Sequence, residues 1–427
     1  MAISRNLLKQ VMLDNQRDIE GYKIYPRHTE ANDFPMQVFV GVRRSGKSYL
    51  LFQRMREKIA AGSEWKDLLY LDFEDARLDG FEAEDFNLIL ECHNELYGTR
   101  PTLFLDEIQN ISGWEKFARN LADRKYSAYI TGSNAKMLSK EIMSTLGGRY
   151  LTTEVYPLSF VEYLEVKGVQ HDTKAQLATD SRINIVKAFK EYMTWGGLPE
   201  TVNMPVKRHY LTSVFQKIYL GDIIQRNRIG NIKLLQLMIK KIAESVMQPI
   251  SYNRIAKILS SVAGKVTVPT ISNYVRYAED AWLILRLRNI SSAFATRESI
   301  CKYYFIDNGI LSLLLLDAET LLLENLVALS LFRKYGHDED NERVFFYNDA
   351  VEIDFYVPEE KLAIQVSYSI ADLQTREREV GALSKFPNIH PCDKRLIITH
   401  DEEITLTDNF GEINVIPCWK WLLNNNR

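Results

Sequence analysis

Long hydrophobic runs are missing from this chain. The longest apolar stretches, such as Leu313 to Leu316 and Leu321 to Leu323, are cut by Asp317 and Glu324, far short of the ~20 residues that a membrane span needs. The opening M-A-I-S-R-N-L-L-K-Q has neither a hydrophobic signal core nor a cleavage site, so the expectation is a cytoplasmic protein without a membrane partner. Cysteine is scarce as well. Cys92, Cys301, Cys392 and Cys418 lie far apart with no C-x-x-C, which fits a reducing compartment and argues against a disulfide framework or structural zinc. His390, Cys392 and His400 do not have the spacing that zinc sites favour either. Acidic residues are few in one block. Between Pro205 and Ile290 fourteen Lys or Arg face only four Asp or Glu, a local charge of +10 in a chain of net charge -3. Such a block meets something anionic or docks on the acidic remainder.

What is present is an ordinary globular composition, 46% hydrophobic and 26% charged over 427 residues, enough for two to four domains. The most informative stretch is V-F-V-G-V-R-R-S-G-K-S-Y-L-L, Val38 to Leu51. An apolar strand gives way to Gly41, Val42, Arg43, Arg44, Ser45, Gly46, Lys47 and Ser48, and from Tyr49 an amphipathic helix begins. This G-x-x-x-x-G-K-[ST] spacing lets the backbone curl so that successive N–H groups point at phosphate oxygens. Lys47 would reach the β/γ-phosphates and the Ser48 hydroxyl would ligate Mg²⁺. A second stretch, T-L-F-L-D-E-I-Q from Thr102 to Gln109, is an apolar strand ending in paired carboxylates. Asp106 is assigned to the metal shell and Glu107 to the attacking water.

Further along, S-A-Y-I-T is another strand, with Gly132, Ser133 and Asn134 at its end. Ser133 or Asn134 could contact the γ-phosphate, or could equally cap the helix expected over 135–146. Arg149, after a Gly-Gly turn, is a candidate arginine finger, in cis or from a neighbouring copy. Apolar strands alternating with helices predict an α/β fold, a P-loop NTPase parallel sheet with helices on both faces, the nucleotide lying at the carboxyl ends of the strands. Between residues 231 and 298 the order helix, turn, helix, β-ribbon reads as a winged helix. Ser251 caps a helix whose Tyr252, Ile255, Ile258, Leu259 and Val262 share a face, and a recognition helix begins at Thr270 after a break at Pro269. Lys265, Ser272, Asn273 and Arg276 are the candidate DNA contacts, although Glu279 and Asp280 in the same helix would repel phosphate, and a lid or protein-docking module fits as well.

The last block, 299–427, reads as a helix with Glu324, antiparallel strands, a helix and further strands, and resembles a PD-(D/E)XK nuclease core. Such a core needs carboxylates on two adjacent strands and a lysine two residues on. Glu324, Glu352 and Asp354 are present, but Gln365 and Ser367 stand at the second carboxylate and the lysine positions. A neutral amide and a hydroxyl cannot supply that charge, so this reads as a nuclease-like scaffold without a working metal site.

Together with Y-P-L-S-F-V-E-Y-L, W-G-G-L-P, Y-L-G-D-I-I, K-Y-Y-F-I-D-N-G-I, L-E-N and V-E-I-D-F, these stretches resemble a prokaryotic family of AAA-type P-loop ATPases with a C-terminal winged helix and nuclease-like domain. The resemblance spans nearly the whole chain. It implies Walker roles for Lys47, Ser48, Asp106 and Glu107, a sensor role for Ser133 or Asn134, the finger role for Arg149, and ATP over GTP. The expected organisation is an ATPase core over 1–156, a helical lid or linker over 157–230, a winged-helix domain over 231–298 and the nuclease-like domain over 299–427. The expected function is Mg-dependent ATP binding and hydrolysis that drives domains engaging DNA or a protein partner, with a homo-oligomer possible. The alternative is a nucleotide-locked adaptor with negligible turnover.

Overall fold

The computed structural model describes residues 3–29, 34–133, 145–290, 294–316, 318–337 and 342–425. The chain divides into two compact units, Met1–Val155 and Tyr156–Arg427.

In the first unit, β1 (Met36–Val40), β2 (Leu68–Asp72), β3 (Thr102–Asp106), β4 (Ala128–Gly132) and β5 (Leu151–Glu154) form one sheet in the order β2-β3-β4-β1-β5. Every pairing is parallel. The central strands are apolar in both registers. Phe39, Tyr70, Phe104 and Tyr129 pack with Leu50, Leu51 and Met55 of helix α2 (Lys47–Ala60) and with Ile19 of helix α1 (Arg5–Gly21). The alternate side chains Leu69, Leu71, Leu103, Leu105 and Ile130 are buried too, so both faces are covered, as a parallel sheet requires. Phe86 of helix α3 (Phe86–Tyr97) stacks on Phe117 of helix α4 (Trp114–Asp123), with ring centroids 4.4 Å apart. Because β1 lies between β4 and β5, the loop after β1 opens at the carboxyl edge of the sheet, next to the end of β4 and one strand from the end of β3.

The second unit opens with helices, among them Phe160–Lys167, Thr179–Trp195 and Lys207–Gln216, the last running into a π-helical segment, Lys217–Gln225. Then come helix Ile232–Ala243, β6 (Ile250–Ser251), helix Tyr252–Ala263, helix Val268–Asp280, β7 (Ile284–Leu287) and β8 (Ile300–Phe305). The three strands make an antiparallel sheet in the order β6-β8-β7. Ser251 does cap its helix, accepting from the Arg254 N–H at 3.1 Å. Two details differ from the sequence reading. Pro269 does not break the chain but sits in the first turn of the Val268–Asp280 helix, where its missing N–H costs nothing, and Thr267 is the cap. Val262 is 66% exposed rather than part of the buried stripe.

Helix Glu319–Tyr335 precedes a six-stranded sheet of β9 (Phe345–Asn348), β10 (Glu352–Val357), β11 (Leu362–Val366), β12 (Lys394–Thr399), β13 (Ile404–Asp408) and β14 (Gly411–Pro417) in the order β13-β14-β12-β11-β10-β9. The β11–β12 and β12–β14 pairs are parallel and the rest antiparallel. Neither β13 nor the closing helix Cys418–Asn425 was expected.

Three of the short motifs interlock in this unit. The buried Asp307 carboxylate accepts from the Gly197 N–H at 2.7 Å, the Gly309 N–H at 2.8 Å and the Ile310 N–H at 3.4 Å. Asn308 donates to the carbonyls of Met193 and Leu322, and Asn325 bridges Asn308 to both backbone groups of Phe305. A Cβ on Gly196 would lie 2.1 Å from the Asp307 carboxylate, so that glycine is a matter of space. W-G-G-L-P, D-N-G-I and L-E-N are thus one clasp. Among the described residues no helix is long and apolar enough to cross a membrane.

Candidate functional site

The loop between β1 and α2 turns on two left-handed residues, Arg44 (φ 65°) and Gly46 (φ 94°). Gly46 is the N-cap of α2 and brings no capping side chain, so the first N–H groups of the helix face the loop with their partial positive charge. Gly41 is there because of space: a Cβ would stand 2.2 Å from the Val155 carbonyl oxygen. The Ser45 hydroxyl is buried with no hydrogen-bond partner. Arg27, also buried, donates to the Ser45 carbonyl at 2.7 Å. Lys47 is 4% exposed and folds back on the loop, its Nζ 3.1 Å from the carbonyls of Gly41 and Val42.

That same Nζ is 3.3 Å from Glu107 Oε1. The other Glu107 oxygen accepts from Gln109 Nε2 at 2.5 Å, so both are engaged. Burial pushes the Glu107 carboxyl up, but Lys47, Gln109, Arg43 and Ser133 together hold it at about 2. Its backbone is left-handed, φ 50°, at the turn where the strand ends. Asp106 is fully buried and holds Tyr70 OH at 2.8 Å, the Thr131 hydroxyl and the Ser48 side chain. Burial, then the charge of Glu107, raises its pKa. The Glu107 N–H in turn donates to Thr131 Oγ1 at 2.9 Å. Ser48 and Asp106 offer hard oxygens side by side. Among the described residues no group of three or more His, Cys, Asp and Glu could hold a metal unaided. That combination fits Mg²⁺, which keeps water and phosphate oxygens in its shell.

Residues 33–164 match the AAA domain family, and residues 186–320 match a domain of unknown function. An uncharacterized protein of Methanocaldococcus jannaschii is 34% identical over 436 residues, covering 99% of this chain and 96% of its own length. The chain belongs to the same family. An uncharacterized protein of Haemophilus influenzae, 30% identical over 91% of this chain and 94% of its own, is a further relative. Among solved structures, Cdc6p from Pyrobaculum aerophilum covers 76% of this chain and 93% of its own at 13% identity and a TM-score of 0.24. AMPPCP-bound DnaA from Aquifex aeolicus covers 62% and 86% at 14% identity and the same TM-score. Scores this low leave the fold of the AAA domain to its own strand order.

Within residues 33–164, the loop Gly41–Ser48, Asp106, Glu107 and Ser133 are brought together. Ser133 is buried at the end of β4 and accepts from Gln109 Nε2 at 3.4 Å, while Asn134 lies outside the described residues, as does most of the helix expected over 135–146. Tyr49 is 45% exposed and stacks with Tyr22. Arg43 pairs with Glu74. Arg149 is not among the groups around Lys47; its Nε is 3.1 Å from Asp123 at the end of α4, with the side chain 43% exposed.

Tyr70, Thr131, Gln109 and Asp72 escaped the sequence reading. Asp72 pairs in register with Asp106, and burial, then Asp106, pushes its carboxyl up to about 7. The signal was there, since L-L-Y-L-D ends in an acid just as T-L-F-L-D does.

In the second unit, Lys265, Asn273 and Arg276 are exposed and Ser272 partly so. Glu279 makes a two-pronged pair with Arg286, at 2.7 and 2.6 Å, so its charge is already answered. Glu324, Asp354, Gln365 and Ser367 are all buried, and Asp354 and Gln365 are directly bonded.

Proposed function

We propose that this protein binds Mg-ATP in the loop Gly41–Ser48 and hydrolyses it, and that turnover governs C-terminal domains that engage duplex DNA. The observation that carries the reading is the meeting of Lys47 with Glu107 at 3.3 Å beside the Ser48–Asp106 contact. On this reading loop N–H groups and Lys47 bind the phosphates, and Ser48 and Asp106 hold Mg²⁺, which neutralises charge on the transferring phosphoryl group. Drawing Lys47 toward phosphate releases Glu107 Oε1, which then orients the attacking water and accepts its proton. Ser133 is the sensor residue on β4, and Arg149, half-exposed, is a finger offered to a second copy of the chain. A second reading, an adaptor with negligible turnover, is favoured by the engagement of both Glu107 oxygens. Steady-state ATP turnover by the purified chain separates the two.

We read 157–230 as a lid or linker, 231–298 as a winged helix whose sheet is completed by β8, against the boundary expected at 298, and the rest of the chain to 427 as a nuclease-like domain without a working metal site. Support for DNA comes from charge. Arg254 and Lys257 on one helix, Arg276 on the next and Lys265 in the connection between them are exposed, and none pairs with a carboxylate among the described residues. Of the two acids that would repel phosphate, Glu279 is tied to Arg286. Binding to duplex DNA should therefore weaken steeply with salt. Lys265→Ala and Arg276→Ala are each expected to lower the log–log slope by about 1. Titrations of labelled duplex at several salt concentrations check this, and a flat slope or no binding turns the proposal to a protein partner.

A further inference from the structure

A second buried charged cluster lies within the second unit. Lys302, in the middle of β8, is fully buried, and its Nζ stands 2.8 Å from Asp354 Oδ1, 3.4 Å from Glu324 Oε1 and 3.9 Å from the half-exposed Glu352. The Phe346 ring faces the same ammonium, with its centroid 5.8 Å away. Tyr304 OH donates to Glu324 Oε1 at 2.8 Å, while Glu324 Oε2 is buried with no partner. The second oxygen of Asp354 accepts from the Val366 N–H at 2.9 Å.

Gln365 completes the arrangement. Its amide oxygen accepts from the Asp354 N–H at 2.8 Å, and its nitrogen donates to the Glu352 carbonyl and to Glu379 Oε2 at 3.0 and 2.8 Å. A carboxylate at this position would turn an acceptor toward both of those oxygens, so the amide is what the site needs. Ser367 spends its hydroxyl on the Ser369 carbonyl. Carboxylates on a helix and on a strand thus converge on one cation, and that cation is a side chain of the protein.

We propose that the Lys302 ammonium is a built-in replacement for a divalent cation, filling the cation position among Glu324, Asp354 and Glu352 so that a metal can enter only when that ammonium is removed. Sequence comparison with a metal-dependent site would look for charge lost at Gln365 and Ser367. The structure locates the decisive change on a different strand, β8. None of this depends on nucleotide turnover.

Removing the ammonium leaves two buried carboxylates facing one another, one of them with an oxygen that has no partner, a set that favours Mn²⁺ or Mg²⁺. The test uses the full chain without nucleotide, with free Mn²⁺ followed by electron paramagnetic resonance. Lys302→Met is expected to bind Mn²⁺ at least about tenfold more tightly than wild type. The gain should vanish in Lys302→Met/Asp354→Asn and be absent in Lys302→Arg. Equal Mn²⁺ binding by wild type and Lys302→Met overturns the proposal, as does a gain that survives Asp354→Asn. Should Lys302→Met fail to fold in metal-free buffer, Mn²⁺ during refolding is expected to rescue it. The neutral triple variant Lys302→Met/Glu324→Gln/Asp354→Asn would then fold with no metal, and a triple variant that folds beside a single variant that Mn²⁺ does not rescue overturns the proposal equally.

Discussion

Glu107→Gln should hold ATP as tightly as the wild type, or more tightly, and turn it over at least about 100-fold more slowly, the usual share of a positioned base. The amide has nearly the shape of the carboxylate and keeps an oxygen for Lys47, now 3.3 Å away. It cannot take a proton from water, and it removes one negative charge from the neighbourhood of a triphosphate. Lys47→Ala should behave in the opposite way, losing affinity because the loop keeps its N–H groups and loses its full positive charge. Turnover assays paired with fluorescent-nucleotide titrations read kcat and binding separately. Undiminished turnover in Glu107→Gln would remove this glutamate from the chemistry. Wild-type turnover that is itself negligible would favour the adaptor.

Asp307→Asn is expected to destabilise the second unit by about 3 kcal/mol, as a buried donor left without an acceptor costs 1–3 kcal/mol and more beside a charged group. The carboxylate takes backbone N–H groups on both oxygens, from Gly197 on one side and from Gly309 and Ile310 on the other. Whichever way the new amide turns, its own N–H₂ meets an N–H. For a unit of this size the midpoint should fall by roughly 6 °C, read in a thermal scan of the full chain. A loss below about 1 kcal/mol would mean that the clasp tolerates an orphan donor there.

Much of this architecture was legible in the sequence because its signals are local. Gly41, Gly46, Lys47 and Ser48 announce a phosphate loop through spacing, and the apolar runs before Gly41 and Asp106 announce parallel strands buried on both faces. The helix Glu319–Tyr335 declares itself through its length and apolar content. Pairwise geometry was not legible. Gln109 and Thr131 act on Glu107 and Asp106 through contacts that only the fold creates. The Arg286–Glu279 pair closes across a turn, which answers one of the two acids behind the electrostatic objection raised by the sequence alone. Lys302 was hidden for a different reason: one cation inside C-K-Y-Y-F-I looks like a solvated face, and only the neighbouring carboxylates make it a core residue. Strand β13 was overlooked although Ile404 and Leu406 alternate with polar residues, because a five-residue edge strand competes poorly with a loop reading.

The left-handed backbone at Glu107 (φ 50°) sets two demands on one position against each other. A β-carbon in that region is uncomfortable by about 1 kcal/mol, and glycine would relieve it. Relief would also delete the acid on which the proposed turnover depends, so on that reading selection for heat resistance alone would drift toward a tougher but idle protein.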